Sequence, residues 1–211
     1  FSWKKLILDK KIDAIAIATP PTLHKHIIRF AIKHNKHIFC EKPFTCSIKE
    51  ANYVCELIKK KKNISHMINY EFVEIDAFRF FKDRILNKKI NINKIDLNWF
   101  INSRKKSKNS WKEDHASGGG IMFNYVCHTI YYLEFLFGKI ISTKSNIFLC
   151  KESNLNSVVF FESGLSAKLK VKIGLKNMGI KPVHQLKIVS NKNIYYLRSD
   201  INNLFDQFEL I

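Results

Sequence analysis

IDAIAIATPPTLHKHIIRFAIKHNKHIFCEKP, residues 12–43, is the stretch whose alternation of apolar runs and breaks decides the fold. Ile12 to Ala18 is a near-continuous apolar run ended by Pro20-Pro21, the pattern of a strand covered on both faces. Thr22 is placed to cap a following helix. In that helix Leu23, Ile27, Phe30 and Ala31 keep helical spacing as far as His34-Asn35, where Asn35 suits a left-handed closing residue. A second short strand, from His37 to Cys40, then runs into Glu41-Lys42-Pro43. Two strand ends joined by one helix describe the rim of a parallel sheet, where a charged lysine is placed to meet a ligand.

Downstream, Ser47 and Glu50 form a capping box for a helix carrying Ile48, Ala51, Val54, Leu57 and Ile58 on one face, with Lys59 to Lys62 at its C-terminal end. A third strand is expected over Ile64 to Asn69. Upstream, Phe1-Ser2-Trp3 reads as the middle of an amphipathic helix reaching Asp9, with no initiator Met and no signal pattern, so a missing N-terminal part is expected. The order strand, helix, strand, helix, strand with short loops is the second half of a doubly wound α/β domain.

From Ile75 the pattern changes. Ile75, Phe78, Phe81, Ile85 and Leu86 predict an amphipathic helix, Ile95 to Ile101 a half-exposed strand, and Gly120 to Phe137 a long helix closed by Gly138. Strands follow at about 140–150, 157–162, 165–175, 183–189 and 194–197. In the third of these, Lys168, Lys170 and Lys172 face away from Ala167, Leu169, Val171 and Ile173. The expected fold is α/β: the C-terminal half of a Rossmann-type parallel sheet over 1–72, then an α+β domain with a mostly antiparallel open sheet over 73–211.

With 46% apolar residues in 211, the chain can bury a real core. The net charge of +18 invites a nucleic-acid reading, but lysine is spread along the whole chain with abundant Ile, Asn and Phe, as an AT-rich coding sequence would give. No nucleic-acid partner is therefore expected. No apolar run approaches the roughly 20 residues that span a bilayer. Cys40, Cys46, Cys55, Cys127 and Cys150 are odd in number and lack metal-ligand spacing, which reads as reduced, buried thiols of a cytoplasmic protein.

A second polar segment runs Trp111-Lys112-Glu113-Asp114, then Ser117-Gly118-Gly119-Gly120, then the long helix. Consecutive glycines permit a tight turn and a close approach to a ligand, although such loops are often only turns. Asn124 and His128, four apart, form with Tyr131 and Tyr132 a polar stripe on an otherwise apolar helix. A histidine there either moves a proton or sits in the core satisfied by a hydrogen bond.

Thr19-Pro20-Pro21-Thr22-Leu23-His24, Glu41-Lys42-Pro43 and Ser117-Gly118-Gly119-Gly120 with Asn124 and His128, in this order and spacing, resemble the Gfo/Idh/MocA family of NAD(P)-dependent oxidoreductases. The resemblance implies NAD or NADP as cofactor, a small hydroxy substrate of sugar or polyol type, and a homo-oligomer. It makes Lys42, His128 and Asn124 the catalytic set, with His128 as general base and Lys42 steadying the alkoxide. It also places Thr19, Pro20, His24, Glu41, Lys42, Asn69 and Trp111 along the cofactor. Many relatives carry Asp where this chain has Asn124, and often again where it has Tyr131. Neither residue can raise the basicity of His128 as a carboxylate would. A non-catalytic NAD(P)-binding sensor or scaffold of the same fold is the alternative. A metal site built from His24, His26, His34 and His37 has no ligand spacing to support it, and no metal is expected.

Overall fold

The computed structural model describes residues 2–88, 90–103, 110–149, 153–175, 181–199 and 208–211. Its contacts divide the chain into two units, Phe1–Tyr70 with Asn109–Cys127, and Glu71–Lys108 with His128–Ile211.

The first unit runs α1 (Trp3–Leu8), β1 (Ala14–Ile17), α2 (Pro21–Lys33), β2 (His37–Cys40), α3 (Ile48–Lys59) and β3 (His66–Ile68). The strands form one parallel sheet in the order β1-β2-β3, with Ile15 opposite Ile38 and Ile38 opposite His66. Ile15, Ile17, Ile38 and Cys40 point to one face and are buried with Ile7 of α1, Ile27, Ile28, Ala31 and Ile32 of α2, and Val54 and Ile58 of α3. Burying the isoleucine and valine side chains among these contributes about 1.5–3 kcal/mol each.

The opposite face departs from expectation. Ala14 and Ala16 are exposed, as are Phe39 at 39% and Met67 at 46%, so β1 is covered on one face only. Helices α1, α2 and α3 all contribute to one core cluster with the buried face of the strands. The start of α2 also differs. Pro21 is its first residue, Pro20 stands at the cap with no side-chain bond, and Thr22 lies inside the first turn. Proline fits there because the first helical N–H needs no intrahelical partner. Asn35 does take the left-handed conformation, at φ 54°. Ser47 Oγ accepts the Glu50 N–H at 3.2 Å, but the Glu50 carboxylate reaches Lys25 Nζ at 2.5 Å instead of returning to Ser47. The capping box is thus half made, and its acid ties α3 to α2.

In the second unit, the helix expected from Ile75 is broken into a 3₁₀ turn (Glu71–Glu74), α4 (Asp76–Phe80), a π turn (Phe81–Ile85) and a 3₁₀ turn (Leu86–Lys88). Phe78 and Phe81 are fully buried while Phe80 is exposed, so the apolar spacing holds although the turn type changes. Then come β4 (Ile92–Ser103), α5 (Cys127–Phe137), β5 (Ile140–Leu149), β6 (Ser153–Phe161), β7 (Ser166–Leu175), β8 (Val183–Ser190), β9 (Ile194–Ser199) and β10 (Phe208–Leu210). The sheet order is β10-β9-β8-β4-β7-β6-β5, and every pairing is antiparallel except β4 with β7. The mostly antiparallel open sheet follows the sequence pattern, and β10 was too short to show in it.

Ala167, Leu169 and Val171 are buried whereas Lys168 and Lys170 are exposed, so the lysine ladder lies on the open face. Lys168 stands in register beside Asp96, whose carboxylate pairs with Lys94 at 2.7 Å. Phe72 centres the core, its ring meeting those of Phe78, Trp99, His128, Tyr132, His184 and Phe208 at centroid distances of 5.1–6.3 Å.

Residues 120–137 are helical throughout, with a π turn over Met122–Val126 leading into α5, and Gly138 closes the helix at φ 90°. Tyr132 is fully buried and Tyr131 is 43% exposed, so the two do not share the expected polar stripe: consecutive helical residues point about 100° apart. No described helix is long and apolar enough to cross a membrane.

Candidate functional site

Parallel strands deliver the ends of β1, β2 and β3 to one edge of the first unit's sheet, where open α/β sheets bind ligands. The main chain links these ends, with Glu41 N–H donating to Ile17 O at 2.9 Å and Asn69 N–H to Cys40 O at 2.8 Å. Side chains continue the link: Asn69 Nδ2 donates to Glu41 Oε1 at 2.8 Å. Thr19, Glu41, Lys42 and Asn69 are therefore assembled along one rim, and Pro20 is exposed beside it.

His24 takes a different place. It is fully buried, with Nε2 2.8 Å from Thr19 O and Nδ1 3.0 Å from Pro43 O. Both nitrogens face main-chain carbonyls, so the ring ties the β1 end to the β2 end from within and presents nothing to the surface. Cys40 Sγ lies 3.5 Å from the same ring and donates to Glu41 O at 3.3 Å. Burial, and after it the nearby Glu41 charge, pushes the Cys40 thiol up to about 12, which keeps it protonated and unreactive. The cysteines are more varied than expected. Cys40 is buried, Cys46 and Cys127 are half-buried, Cys55 is exposed, all four are free thiols, and Cys150 lies outside the described residues.

Lys42 is half-buried, and its ammonium donates to the Asn124 main-chain carbonyl at 2.9 Å. An ammonium has three N–H groups, so this bond fixes its position and leaves capacity for a ligand. The Asn124 amide points elsewhere, donating through Nδ2 to Lys112 O at 2.7 Å. Lys112 belongs to a 3₁₀ turn, Trp111–Glu113, whose Ser110 cap accepts the Lys112 N–H at 3.3 Å. Lys42, Asn124 and the Trp111 turn thus form one bonded group.

Gly119 packs against this group's own backbone, Gly118 against Pro21 and Gly120 against His115. A Cβ on Gly119 would lie 2.3 Å from Trp111 O and 2.6 Å from Lys112 O, and one on Gly118, at φ 83°, 2.9 Å from the Pro21 side chain. At Gly119 the protein's own backbone fills the space. Gly119→Ala is expected to destabilise the protein by about 1–3 kcal/mol, because main-chain atoms cannot swing aside as a flexible side chain can. Chemical denaturation of both forms measures it.

The second unit holds His128 on α5, 4% exposed, with the Phe72 ring edge-on at 5.1 Å and Trp99 at 6.3 Å. Its Nδ1 lies 3.8 Å from Glu71 Oε2, an ion-pair separation. Nearby, His184 stacks on Trp99 at 3.9 Å and lies 3.0 Å from the Tyr132 hydroxyl. Burial, with a smaller contribution from His128, holds His184 well below the ordinary imidazole range, so it stays neutral, and its Nε2 shares a hydrogen bond with the Tyr132 hydroxyl. Burial likewise keeps the Tyr132 phenol protonated. Sequence reading missed Glu71 and His184, since neither stands in a motif.

Of His24, His26, His34 and His37, His24 is buried between carbonyls, His26 is exposed, His34 packs on Phe30, and His37 accepts the Ser65 N–H at 2.9 Å. The rim fits a dinucleotide better. Thr19 Oγ1 is buried without a hydrogen-bond partner among the described residues, which is what a polar ligand at the strand ends would satisfy.

Comparison with known proteins agrees with this geometry. Residues 2–70 match the model of the Gfo/Idh/MocA oxidoreductase family, NAD-binding Rossmann fold, and residues 82–157 match that family's C-terminal alpha/beta domain. An uncharacterised oxidoreductase of Synechocystis is 27% identical over 148 residues, 68% of this chain and 39% of the relative. The 2,7-anhydro-N-acetylneuraminate hydratase of Escherichia coli is 26% identical over 152 residues, 69% of this chain and again 39% of the relative. The chain therefore spans about two fifths of the length of these relatives. A solved structure of levoglucosan dehydrogenase with NADH and levoglucosan superposes with a TM-score of 0.81 at 20% identity, over 100% of this chain and 64% of that one. With two family models covering more than half of its length in the family's own order, the chain belongs to the Gfo/Idh/MocA oxidoreductase family and carries part of its NAD-binding Rossmann fold.

Proposed function

We propose that the protein is an NAD(P)-dependent oxidoreductase that moves hydride between a nicotinamide cofactor and a hydroxyl-bearing carbon of a sugar, polyol or related compound. The observation that carries this reading is the Lys42 ammonium fixed at the strand-end rim by its 2.9 Å bond to Asn124 O. Levoglucosan dehydrogenase, whose solved structure holds a sugar-derived substrate, supports the substrate class.

Thr19, Pro20, Glu41, Lys42, Asn69 and Trp111 would hold the cofactor, with His24 bracing the rim beneath them. A bound nicotinamide supplies the hydride acceptor or donor. The chain's own part is to handle charge. Lys42 stabilises the oxyanion that develops as the hydroxyl loses its proton, His128 takes that proton, and Asn124 seats Lys42 through its carbonyl. Residues 1–72, together with Trp111, serve cofactor binding, and the rest of residues 73–211 serve substrate binding and self-association through the open sheet.

The test is direct. The full-length protein is titrated with NADH and NADPH by fluorescence, then screened for hydride exchange against a panel of sugars and polyols that includes levoglucosan. Binding of one cofactor with exchange on at least one sugar is the expected result, and failure to bind either cofactor would overturn the reading. Binding without exchange across the panel would select the second reading, a cofactor-binding sensor or scaffold. The specific observation behind that reading is Asn124, an amide bonded to Lys112 O that cannot take up a proton as a carboxylate would.

A further inference from the structure

On its own helix His128 has Asn124 four residues before it and Tyr131 three after it, so neither neighbour brings it a carboxylate. The second unit supplies a carboxylate from another element. Glu71 opens the 3₁₀ turn Glu71–Glu74 directly after the first unit, and its Oε2 stands 3.8 Å from His128 Nδ1. The next residue, Phe72, packs edge-on against the same imidazole, so one short turn both charges and walls it.

We propose that Glu71 is the positioning residue for His128. Its carboxylate favours the tautomer with the proton on Nδ1, leaves Nε2 as the basic nitrogen, and stabilises the imidazolium that forms when Nε2 takes the substrate's proton. The inference rests on His128 being the base of the proposed reaction. In that reaction the hydroxyl O–H bond breaks and its proton goes to Nε2. The bonding pair stays on oxygen to form the carbonyl as hydride leaves carbon to reduce the nicotinamide.

The surroundings of His128 bear on the charge balance. Glu71 faces it from the 3₁₀ turn, Phe72 from the same turn, Trp99 from β4, His184 from β8, and Tyr132 lies one turn further along α5. His184 is held neutral and Tyr132 stays protonated, so of these groups Glu71 alone brings a formal charge. Its side chain is 40% exposed, so replacing it leaves the core packing in place.

The experiment follows the His128 imidazole in the full-length protein by long-range ¹H–¹⁵N NMR, in wild type, Glu71→Gln and Glu71→Asp, with no substrate present. An opposite charge at this distance favours the protonated ring, so Glu71→Gln is expected to lower the His128 titration midpoint by about 0.5–1 pH unit and to loosen its tautomer preference, with Glu71→Asp recovering much of both. A midpoint and tautomer unchanged in Glu71→Gln would overturn the proposal. Turnover separates it from the reading beneath it. With the best substrate of the sugar panel, Glu71→Gln is expected to lose about tenfold in kcat and to move the acid limb of the rate profile to lower pH. If His128→Asn keeps full turnover while the NMR shift appears, the base assignment fails and the pairing stands. If His128→Asn is inactive and Glu71→Gln shifts nothing, the reverse holds.

Discussion

Lys42→Ala in the full-length protein is expected to lower turnover by about 10²–10³-fold, the usual cost of removing one preorganised group that stabilises an oxyanion. The fold should survive, because Lys42 is half-buried on the rim and is tied there by a hydrogen bond to a main-chain carbonyl. Removing it leaves Asn124 O at a half-buried position that water can reach, at about 1 kcal/mol. Lys42→Arg keeps the charge but trades a compact ammonium for a planar fork, so it should regain turnover only in part. The measurements are kcat and KM with the best sugar, cofactor affinity by NADH fluorescence, and circular dichroism. If kcat falls while cofactor binding and dichroism hold, the lysine acts in the chemical step. Unchanged turnover would sink its assignment.

The elements around Lys42 were legible because they depend on neighbours in the chain. The break at Pro20-Pro21, the Ser47 cap, the left-handed Asn35 and the alternation of Ala167, Leu169 and Val171 with lysines are all encoded within a few residues, and each appears in the structure. Contacts made across the fold were legible only as residue types. The sequence places Asn124 near the chemistry, but that its carbonyl and not its amide receives Lys42, across 82 residues, depends on the path of the chain through the π turn at Met122–Val126. No periodicity announces a π turn. His24 stands in a motif shared with cofactor-lining residues, yet burial between Thr19 O and Pro43 O turns it into an internal tie. The three glycines suggested a cradle for a ligand, but each packs on the protein itself: Gly118 on the Pro21 side chain, Gly119 on the Trp111 and Lys112 backbone and Gly120 on the His115 ring. The open face of β1 was equally hidden, since an alternation of Ala and Ile reads as apolar on both sides.

Phe72→Ala is expected to destabilise the second unit by about 3–5 kcal/mol, a cost that combines lost transfer free energy with the cavity left behind. Phe72 is 2% exposed and its ring touches six other rings, including those of His128 and His184. Such a site collapses poorly, because the stacked Trp99–His184 pair and the Tyr132–His184 hydrogen bond hold its walls apart. The penalty therefore belongs at the upper end of that range. Phe72→Leu, which keeps most of the volume, should cost about 1–2 kcal/mol less than the alanine variant. Urea unfolding followed by tryptophan fluorescence reports the change, since Trp99 is buried against this cluster. Chemistry and stability separate in the leucine variant. The packed edge of Phe72 is part of what holds the His128 ring, so a fold that survives Phe72→Leu should still lose turnover, whereas a ring held by Glu71 and α5 alone would lose none. A destabilisation below about 1 kcal/mol for Phe72→Ala would mean that the aromatic cluster is not the centre of this unit's core.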